Sequence, residues 1–374
     1  MRLFLLAFFS VYLLATSLVA IHMMDVLRPF KIKYAFMLLY IFLGFAIMLG
    51  RFGSVGLPLE VSAWYTRLGY FWMGLLSYML VWSSVFMILR LFGVGAVSNT
   101  HRIIFFSGEV ALCSLIFLVG FHFARNPVIV KHEINTGRNV NLRVVQISDN
   151  HLGFMNTERM FSRIVRKIQG VNPDILLITG DFLENELSYA QKKDIGRALR
   201  ELDLKYGIWA VTGNHEFIGG IDKSIDYKNS LGIVTLRDSS VIIDDKFLLI
   251  GQEDSTAGRF GDFKPLTLNE ILEQRVDEYR TVKELSKEKL TILMTHQISN
   301  HTKYENKNFD LVLSGHTHGG QFFPWNFVVK RMFDIVYGLV KRGDTYFYVS
   351  SGTGYWGPPI RLGTRSEIVV FDIR

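Results

Sequence analysis

The first part of the chain contains four long apolar runs separated by short polar segments. The runs cover residues 3–22, 34–50, 69–89 and 103–124, and Glu109 is the only charged side chain within them. A helix that crosses a bilayer needs about 20 apolar residues, within a range of about 17–25. A cleaved signal peptide is the alternative for the first run, but that run is long and three more follow. We therefore predict a transmembrane region of about four helices over residues 1–124, then a linker over residues 125–140 that includes the first strand.

After residue 140 the pattern changes to short apolar runs that each end in polar residues. Five of these runs are LRVVQIS, DILLIT, GIWAVT, LTILMT and FDLVLS. Helical periodicity lies between some of them, amphipathic over residues 157–169 and 188–204 and rich in charge over residues 268–289. The later runs VIIDDKFLLIG, TYFYVSS and EIVVFDI are typical of antiparallel strands. This alternation of strands and helices predicts an α/β sandwich over residues 141–374.

The positive charge of the chain is confined to its first part. Residues 1–140 contain 11 Lys and Arg against four acidic residues, whereas residues 141–374 contain 30 of each. This excess suits the flanks of membrane helices and argues against a nucleic-acid partner. Glu109 is costly inside a span, so it is either functional or hydrogen-bonded to another helix. The single cysteine, Cys113, excludes an intrachain disulfide framework.

The loop charges orient the spans only weakly. Six Lys and Arg fall on the side that carries both ends of the four-span region, and five fall on the other side. Under the positive-inside rule this small difference favours a cytoplasmic C-terminal domain. We therefore expect an integral protein of a bacterial inner membrane with its second domain in the cytoplasm.

Residue types that bind metals follow five of the short apolar runs. In sheets of this class, ligands lie beyond the carboxyl ends of the strands. One histidine after a strand is an ordinary turn residue, but five such strand ends are hard to reach by chance. The groups are Asp149-Asn150-His151, Gly180-Asp181, Gly213-Asn214-His215-Glu216, His296 and Gly315-His316-Thr317-His318.

These motifs, in this order, resemble those of the calcineurin-like metallophosphoesterase family over about residues 140–374. The four spans and the tail YVSSGTGYWGPPIRLGTRSEIVVFDI resemble the membrane-linked bacterial branch of that family. The resemblance implies two facing β-sheets flanked by helices, with two divalent metal ions. It implies that Asp149, His151, Asp181 and His318 hold the first ion, and that Asp181, Asn214, His296 and His316 hold the second.

The chemistry of the implied ligands agrees with a dinuclear hydrolase. The carboxylate of Asp181 would be shared by both ions, which would activate a water for attack on phosphorus. Ligation by nitrogen and oxygen suits Mn²⁺ best in our interpretation, with Fe or Zn²⁺ as alternatives. His215 would protonate the leaving oxygen as the general acid, the alternative being a structural role. Relatives commonly have Asp soon after the Gly-Asp pair; here Glu184 stands there, and we do not expect it to be a ligand.

Signals for the substrate are weaker. Arg361, in the loop GPPIRLG, and Arg259, in STAGRFGDF, could face a phosphate or could form surface salt bridges. The aromatic segment at residues 322–340 directly follows the metal motif and suits either an acyl chain and bilayer surface or ordinary core packing.

We therefore interpret the chain as a membrane-anchored phosphohydrolase that cleaves a phosphodiester or pyrophosphate of a lipid-linked substrate, UDP-2,3-diacylglucosamine being one such substrate among relatives. The alternatives are a broad phosphodiesterase or phospholipid hydrolase, and a non-catalytic membrane scaffold.

Overall fold

The computed structural model describes residues 2–52, 56–92, 98–260, 263–277, 279–298 and 300–374. The chain forms two compact units. The first comprises Met1–His122 with Gly357–Ile360, and the second comprises Phe123–Trp356 with Arg361–Arg374.

The first unit contains the four predicted long helices. They are α1 (Arg2–Val26), α2 (Ile32–Phe52), α3 (Leu59–Leu91) and α4 (Asn99–Arg125). All four are long and apolar enough to cross a membrane by length and composition, which confirms that part of the predicted fold class. Helix α3 begins at Leu59, whereas the predicted run begins at residue 69, because its first turns mix polar with apolar residues.

Polar side chains connect these helices to one another. The Tyr12 hydroxyl donates to the carbonyl of Gly44 over 2.9 Å and joins α1 to α2. His22 Nε2 lies 3.0 Å from Glu109 Oε2, and both side chains are buried. Glu109 thus makes the interhelical hydrogen bond that was the alternative to a functional role.

Two six-stranded sheets form the second unit. The first sheet contains β1 (Val128–Ile134), β2 (Leu142–Ile147), β3 (Ile175–Thr179), β4 (Ile208–Val211), β5 (Ile233–Thr235) and β12 (Glu367–Ile373) in the order β1-β12-β2-β3-β4-β5. The second contains β6 (Ser239–Ile243), β7 (Phe247–Gly251), β8 (Leu290–Met294), β9 (Leu311–Ser314), β10 (Gly338–Arg342) and β11 (Thr345–Val349) in the order β10-β11-β9-β8-β7-β6.

Parallel pairing places the carboxyl ends of the strands that precede the motifs at the same edge of each sheet. Strands β2, β3, β4 and β5 are parallel to one another, and so are β7, β8, β9 and β11. The predicted antiparallel pairing holds for β6 with β7, whereas β11 and β12 each have one parallel and one antiparallel neighbour. Strand β1 lies inside the segment predicted as a linker and pairs in parallel with β12.

The two sheets share one apolar core, which confirms the predicted two-sheet sandwich. Side chains from both sheets meet there, and their burial removes a large apolar area from water. The first sheet contributes Val144, Leu177 and Val211, and the second contributes Leu249, Ile292 and Leu313.

Helices cover the outer faces of the sheets. Helix α5 (Glu158–Val171) buries Met160, Phe161, Ile164, Val165 and Ile168, which recur at helical spacing and so form one apolar face. The remaining helices are short: α6 (Leu187–Lys192), α7 (Asn214–Gly219), α8 (Ile221–Ser230), α9 (Ala257–Phe260), α10 (Leu268–Leu272), α11 (Val282–Glu288) and α12 (Trp325–Val329).

Two predicted helices are shorter than expected. The helical pattern over residues 188–204 breaks at Asp194, whose φ of 45° is left-handed and whose carboxylate accepts from Arg200. The pattern over residues 268–289 divides into α10 and α11. Each begins with a capping box, Thr267 with Glu270 and Thr281 with Glu284, so two separate helix starts replace one long helix.

Candidate metal centre

The predicted ligands lie at the carboxyl ends of strands from both sheets. Residues 149–151 follow β2, Asp181 follows β3, residues 214 and 215 follow β4, His296 follows β8, and residues 316–318 follow β9. Because the strands of each sheet that carry them are parallel, their side chains converge at one edge of the sandwich.

The backbone of these turns is unusual. Left-handed φ is uncommon for residues other than glycine and costs about 1–3 kcal/mol where it is held, and it clusters at functional sites. The site residues with such φ values are Asp149 (52°), His151 (44°), Asp181 (48°), His316 (73°) and His318 (50°).

Two glycines allow the turns to approach each other closely. A Cβ on Gly213 would overlap the Asp181 side chain, and a Cβ on Gly315 would overlap the side chains of Ser148 and Asp149. Close packing therefore excludes any larger residue at Gly213 and Gly315.

One group joins Asp149, His151 and His318, whose potential ligand atoms all lie within 4.8 Å of one another. His318 Nε2 lies 3.1 Å from His151 Nε2 and 3.4 Å from Asp149 Oδ1. Burial, the facing His151 ring and Arg361 hold the pKa of His318 well below its usual value. The ring of His318 is therefore neutral, which is the form that binds a metal.

A second group joins Asp181, His296 and His316. His296 Nδ1 lies 2.8 Å from the carbonyl oxygen of Thr179, which can only accept, so Nδ1 carries a proton. Nε2 of His296 lies 3.1 Å from Asp181 Oδ2 but makes no hydrogen bond to any described residue. Burial would lower the pKa of His296, but the charge of Asp181 raises it well above the usual value, so without an ion Nε2 holds a proton where a cation would otherwise lie between ring and carboxylate.

Asn214 is the remaining ligand predicted for the second ion. Its Oδ1 is buried and has no hydrogen-bond partner within the part of the chain that the structure describes. Burial, followed by the nearby His296, lowers the pKa of His316, so this ring is also neutral. An unpartnered amide oxygen, the neutral ring of His316 and the Nε2 atom of His296 facing Asp181 fit a bound divalent cation.

Asp181 lies between the two groups. Its Oδ1 accepts the backbone N–H of His215 at 2.9 Å, and its Oδ2 lies 3.9 Å from His151 Nε2 as well as close to His296. Burial opposes ionisation of this carboxyl, but His296 and His215 hold its pKa well below the usual value. The ionised side chain is therefore positioned to face both groups.

His215 and Glu184 form a buried pair beside Asp181. His215 Nδ1 lies 2.9 Å from Glu184 Oε1, and Glu184 Oε2 lies 3.1 Å from His151 Nδ1. Burial alone would lower the pKa of His215, but the charges of Glu184 and Asp181 raise it to about 9. Glu184 therefore orients two site histidines, a role that the sequence analysis did not assign to it. In the sequence, the only indication of this role was the acidic residue that soon follows Gly180-Asp181.

The buried carboxylate of Glu216 connects the turn that carries Asp181 to the turn that carries Asn214. It accepts backbone N–H bonds from four residues at 2.7–3.1 Å, namely Asp181, Phe182, Leu183 and Gly213. The Lys228 ammonium lies 3.9 Å from Glu216 Oε1, and both side chains are fully buried. Sequence reasoning did not identify Lys228, which lies on the otherwise polar helix α8.

Neither predicted substrate arginine faces an open site. Arg361 is fully buried, so the prediction that it faces a phosphate is corrected: its guanidinium donates to the carbonyls of His318 (3.2 Å) and Gly354 (2.8 Å) and contacts His318 Nδ1. It therefore supports the His318 turn from behind. Arg259 lies exposed in α9, and among the described residues no hydrogen bond or ion pair joins it to the metal-ligand groups.

The aromatic segment that follows His318 is mostly exposed. Phe322 is buried, but Phe323, Trp325 and Phe327 are 44%, 50% and 51% exposed, so core packing does not account for these three side chains. Trp356 is also exposed, and its ring lies 6.1 Å from that of His215. An apolar surface thus lies beside the candidate general acid.

Two facing sheets with a shared acid between two histidine-rich groups define a metallohydrolase-type site, and the comparisons identify its family. Residues 142–320 match the calcineurin-like phosphoesterase family. An uncharacterized metallophosphoesterase of Aquifex aeolicus is 31% identical over 62% of this chain and 85% of its own length. The chain belongs to the calcineurin-like metallophosphoesterase family.

Other relatives extend beyond the matched region. An uncharacterized metallophosphoesterase of Campylobacter jejuni is 34% identical over 62% of this chain, and the match covers 59% of that relative. The bovine transmembrane protein with metallophosphoesterase domain is 28% identical over 74% of this chain and 64% of its own length. The chain therefore spans less than two thirds of these two relatives.

Proposed function

We propose that the chain is a membrane-anchored, dinuclear metal-dependent phosphohydrolase that cleaves a phosphodiester or pyrophosphate bond. The observation that carries this proposal is the position of Asp181 between two groups of converging imidazoles. In a hydrolase of this kind, a single carboxylate that faces both groups can bridge two cations.

The two groups would hold one ion each. Asp149, His151, Asp181 and His318 would hold the first, and Asp181, Asn214, His296 and His316 the second. We propose Mn²⁺, although these donors also suit Fe or Zn²⁺. When bound, the ions would supply positive charge to the phosphoryl oxygens and lower the pKa of a water.

His215 would act as the general acid. Its Nδ1–H donates to Glu184, which fixes the ring and leaves Nε2 to deliver a proton to the leaving oxygen. The raised pKa of about 9 keeps the ring protonated at neutral pH. Proximity alone does not separate this role from metal ligation, because His215 also lies within 4.8 Å of His151 and Asp181 atoms.

The first test is metal dependence. Chelation should abolish hydrolysis of bis-p-nitrophenyl phosphate by the full-length protein, and Mn²⁺ should restore it. Full activity in excess chelator, with no metal found by elemental analysis, would refute the proposal.

The second test separates ligand from acid. Asp181→Ala should lower the bound metal content, whereas His215→Ala should retain metals and lose about 10²–10⁴-fold in rate. That loss should shrink for p-nitrophenol, a leaving group that needs little protonation. An equal loss for good and poor leaving groups would exclude the general-acid role.

We also propose that the substrate is lipid-linked, with UDP-2,3-diacylglucosamine as the specific candidate. Exposed Phe323, Trp325 and Phe327 close to His318 support this, because each buried aromatic side chain contributes about 1.5–3 kcal/mol to binding. A broad phosphodiesterase or phospholipid hydrolase is the alternative. A non-catalytic scaffold is disfavoured, since every predicted ligand is present in the sequence and six of the seven fall in two close groups.

A double variant tests the lipid contact. Phe323→Ser with Trp325→Ser should weaken a lipid-linked substrate more than tenfold and barely change turnover of a small aryl diester. Tyr279→Ser, an exposed aromatic outside this segment, is the control. Equal losses on both substrates with a lower melting temperature would remove the lipid contact and leave the catalytic proposal intact.

We further propose that the protein lies in a bacterial inner membrane with the catalytic unit in the cytoplasm. With Cys113→Ser as background, a single cysteine at exposed Lys283 should resist a membrane-impermeant maleimide in intact spheroplasts and react after lysis. Reaction in intact spheroplasts would reverse the proposed orientation.

A further inference from the structure

A cavity of about 650 Å³ lies in the second unit at the carboxyl ends of β7 and β8. Residues 252–255, directly after β7, form one wall, and Thr295 and Gln297, on either side of His296, form another. Helix α10 and the segment at residues 302–307 complete it. This volume is within the usual range for small-molecule sites, about 300–1,000 Å³, and the carboxyl ends of parallel strands are where such sites form.

The cavity is connected to the candidate metal centre by hydrogen bonds. The backbone N–H of Asp254, in the cavity wall, lies 3.4 Å from the hydroxyl of Thr212, which precedes the Gly213-Asn214 turn. That hydroxyl also donates to the buried carboxylate of Glu253. The cavity therefore adjoins the turn that carries Asn214 as well as the loop that carries His296.

The lining contains many hydrogen-bonding groups and little net charge. Amide and hydroxyl side chains predominate, together with the ring of Tyr304, and they include Gln252, Thr267, Asn269, Thr295 and Gln297. Such groups both donate and accept, as the hydroxyls of a sugar or polyol require.

The charged residues of the cavity balance one another, with Glu253 and Asp254 against Lys303 and Lys307. Asp254 is buried in the wall; it accepts from Gln297 Nε2 and from the backbone of Thr256, both at 2.8 Å, which leaves acceptor sites on its carboxylate. Lys307 Nζ donates to Asn269 Oδ1 over 3.2 Å. The remaining acceptor sites of the Asp254 carboxylate can accept hydrogen bonds from hydroxyl groups.

We propose that this cavity binds the sugar or cyclic polyol that is esterified to the phosphate in the substrate. The inference rests on the proposed phosphohydrolase function and adds to it the chemical class of one substrate group. Selectivity would come from hydrogen bonds, because a site built to pair hydroxyls rejects groups that lack them.

The test measures binding separately from catalysis. Full-length protein in phosphatidylcholine nanodiscs is examined by saturation-transfer NMR with glucose, myo-inositol and tert-butanol, since glycosidic detergents would compete for the site. Asn269→Trp should fill the cavity from its exposed wall. Lys283→Trp on α11, outside the cavity, introduces the same side chain as the control.

We expect saturation transfer to glucose or myo-inositol and not to tert-butanol, abolished by Asn269→Trp and retained by Lys283→Trp. Where hydrolysis is observed, Asn269→Trp should lower the ratio of kcat/KM for a sugar phosphodiester to that for an aryl diester about tenfold. No polyol signal in the unmodified protein, or one that survives Asn269→Trp, would overturn the inference. Absence of hydrolysis with intact polyol binding would instead refute only the proposed activity.

Discussion

Replacing Glu216 with glutamine should destabilise the turns that carry Asp181 and Asn214. Oε1 of Glu216 accepts from the amides of Phe182 and Leu183, and Oε2 accepts from those of Asp181 and Gly213. Glutamine keeps one oxygen and replaces the other with an NH₂ group. Two backbone donors therefore lose their acceptor and face another donor.

The magnitude follows from these contacts and from Lys228. A buried donor left without a partner costs about 1–3 kcal/mol. Glutamine also removes the negative charge 3.9 Å from the fully buried ammonium of Lys228, and breaking a buried ion pair in this way costs about 3–5 kcal/mol. Because these effects overlap, we expect a total of about 3–5 kcal/mol. For a unit of this size that lowers Tm by about 6–20 °C.

Thermal unfolding and metal content would be measured on the full-length protein in nanodiscs. Glu288→Gln, the same change at an exposed position of α11, should alter stability by less than about 0.5 kcal/mol. Adding Lys228→Met to Glu216→Gln should recover part of the loss, since no unpaired charge then remains buried. A Glu216→Gln variant with unchanged Tm and full metal content would refute the proposal that this carboxylate holds the two turns.

Three further predictions concern the same site. Glu184→Gln removes the carboxylate that raises the pKa of His215, so His215 loses its proton at lower pH. The alkaline limb of the kcat/KM profile for a poor leaving group should therefore shift to lower pH. An unshifted limb would contradict this prediction. In Arg361→Lys, the lysine ammonium cannot contact the carbonyls of His318 and Gly354 together as the guanidinium does. Release of metal to a chelator should therefore be faster, with an unchanged circular dichroism spectrum. An unaltered release rate would argue against this supporting role. Gly315→Ala introduces a Cβ where Ser148 and Asp149 lie and should lower both Tm and metal content, which a neutral result would exclude.

The four long helices and the strand-end motifs could be predicted because their signals are local. An apolar run of membrane length and a short apolar run ending in Asp or His can both be recognised without tertiary information. The two capping boxes at Thr267 and Thr281 were also visible in the sequence, and they would have divided the predicted helix over residues 268–289.

Other features depend on partners that are distant in the chain. A first strand was expected within the linker segment, but its parallel pairing with β12, at the other end of the second unit, depends on the fold. Arg361 resembles a surface arginine in its glycine- and proline-rich loop, but its burial is fixed by contacts with residues 318 and 354. Lys228 resembles a solvated helix residue, and only the position of Glu216 explains its burial.

The geometry of the proposed metal ligands is set by the fold. Ligands of both groups come from both sheets, since Asp149 and Asp181 follow strands of the first sheet whereas His296 and His318 follow strands of the second. The shared core fixes the separation of the sheets, and Glu216 and Gly213 fix the Asp181 turn within the first sheet. Left-handed φ values at these residues are retained because hydrogen bonds and close packing offset their cost. An ion that binds here therefore meets oriented ligands and adds a direct link between the two sheets.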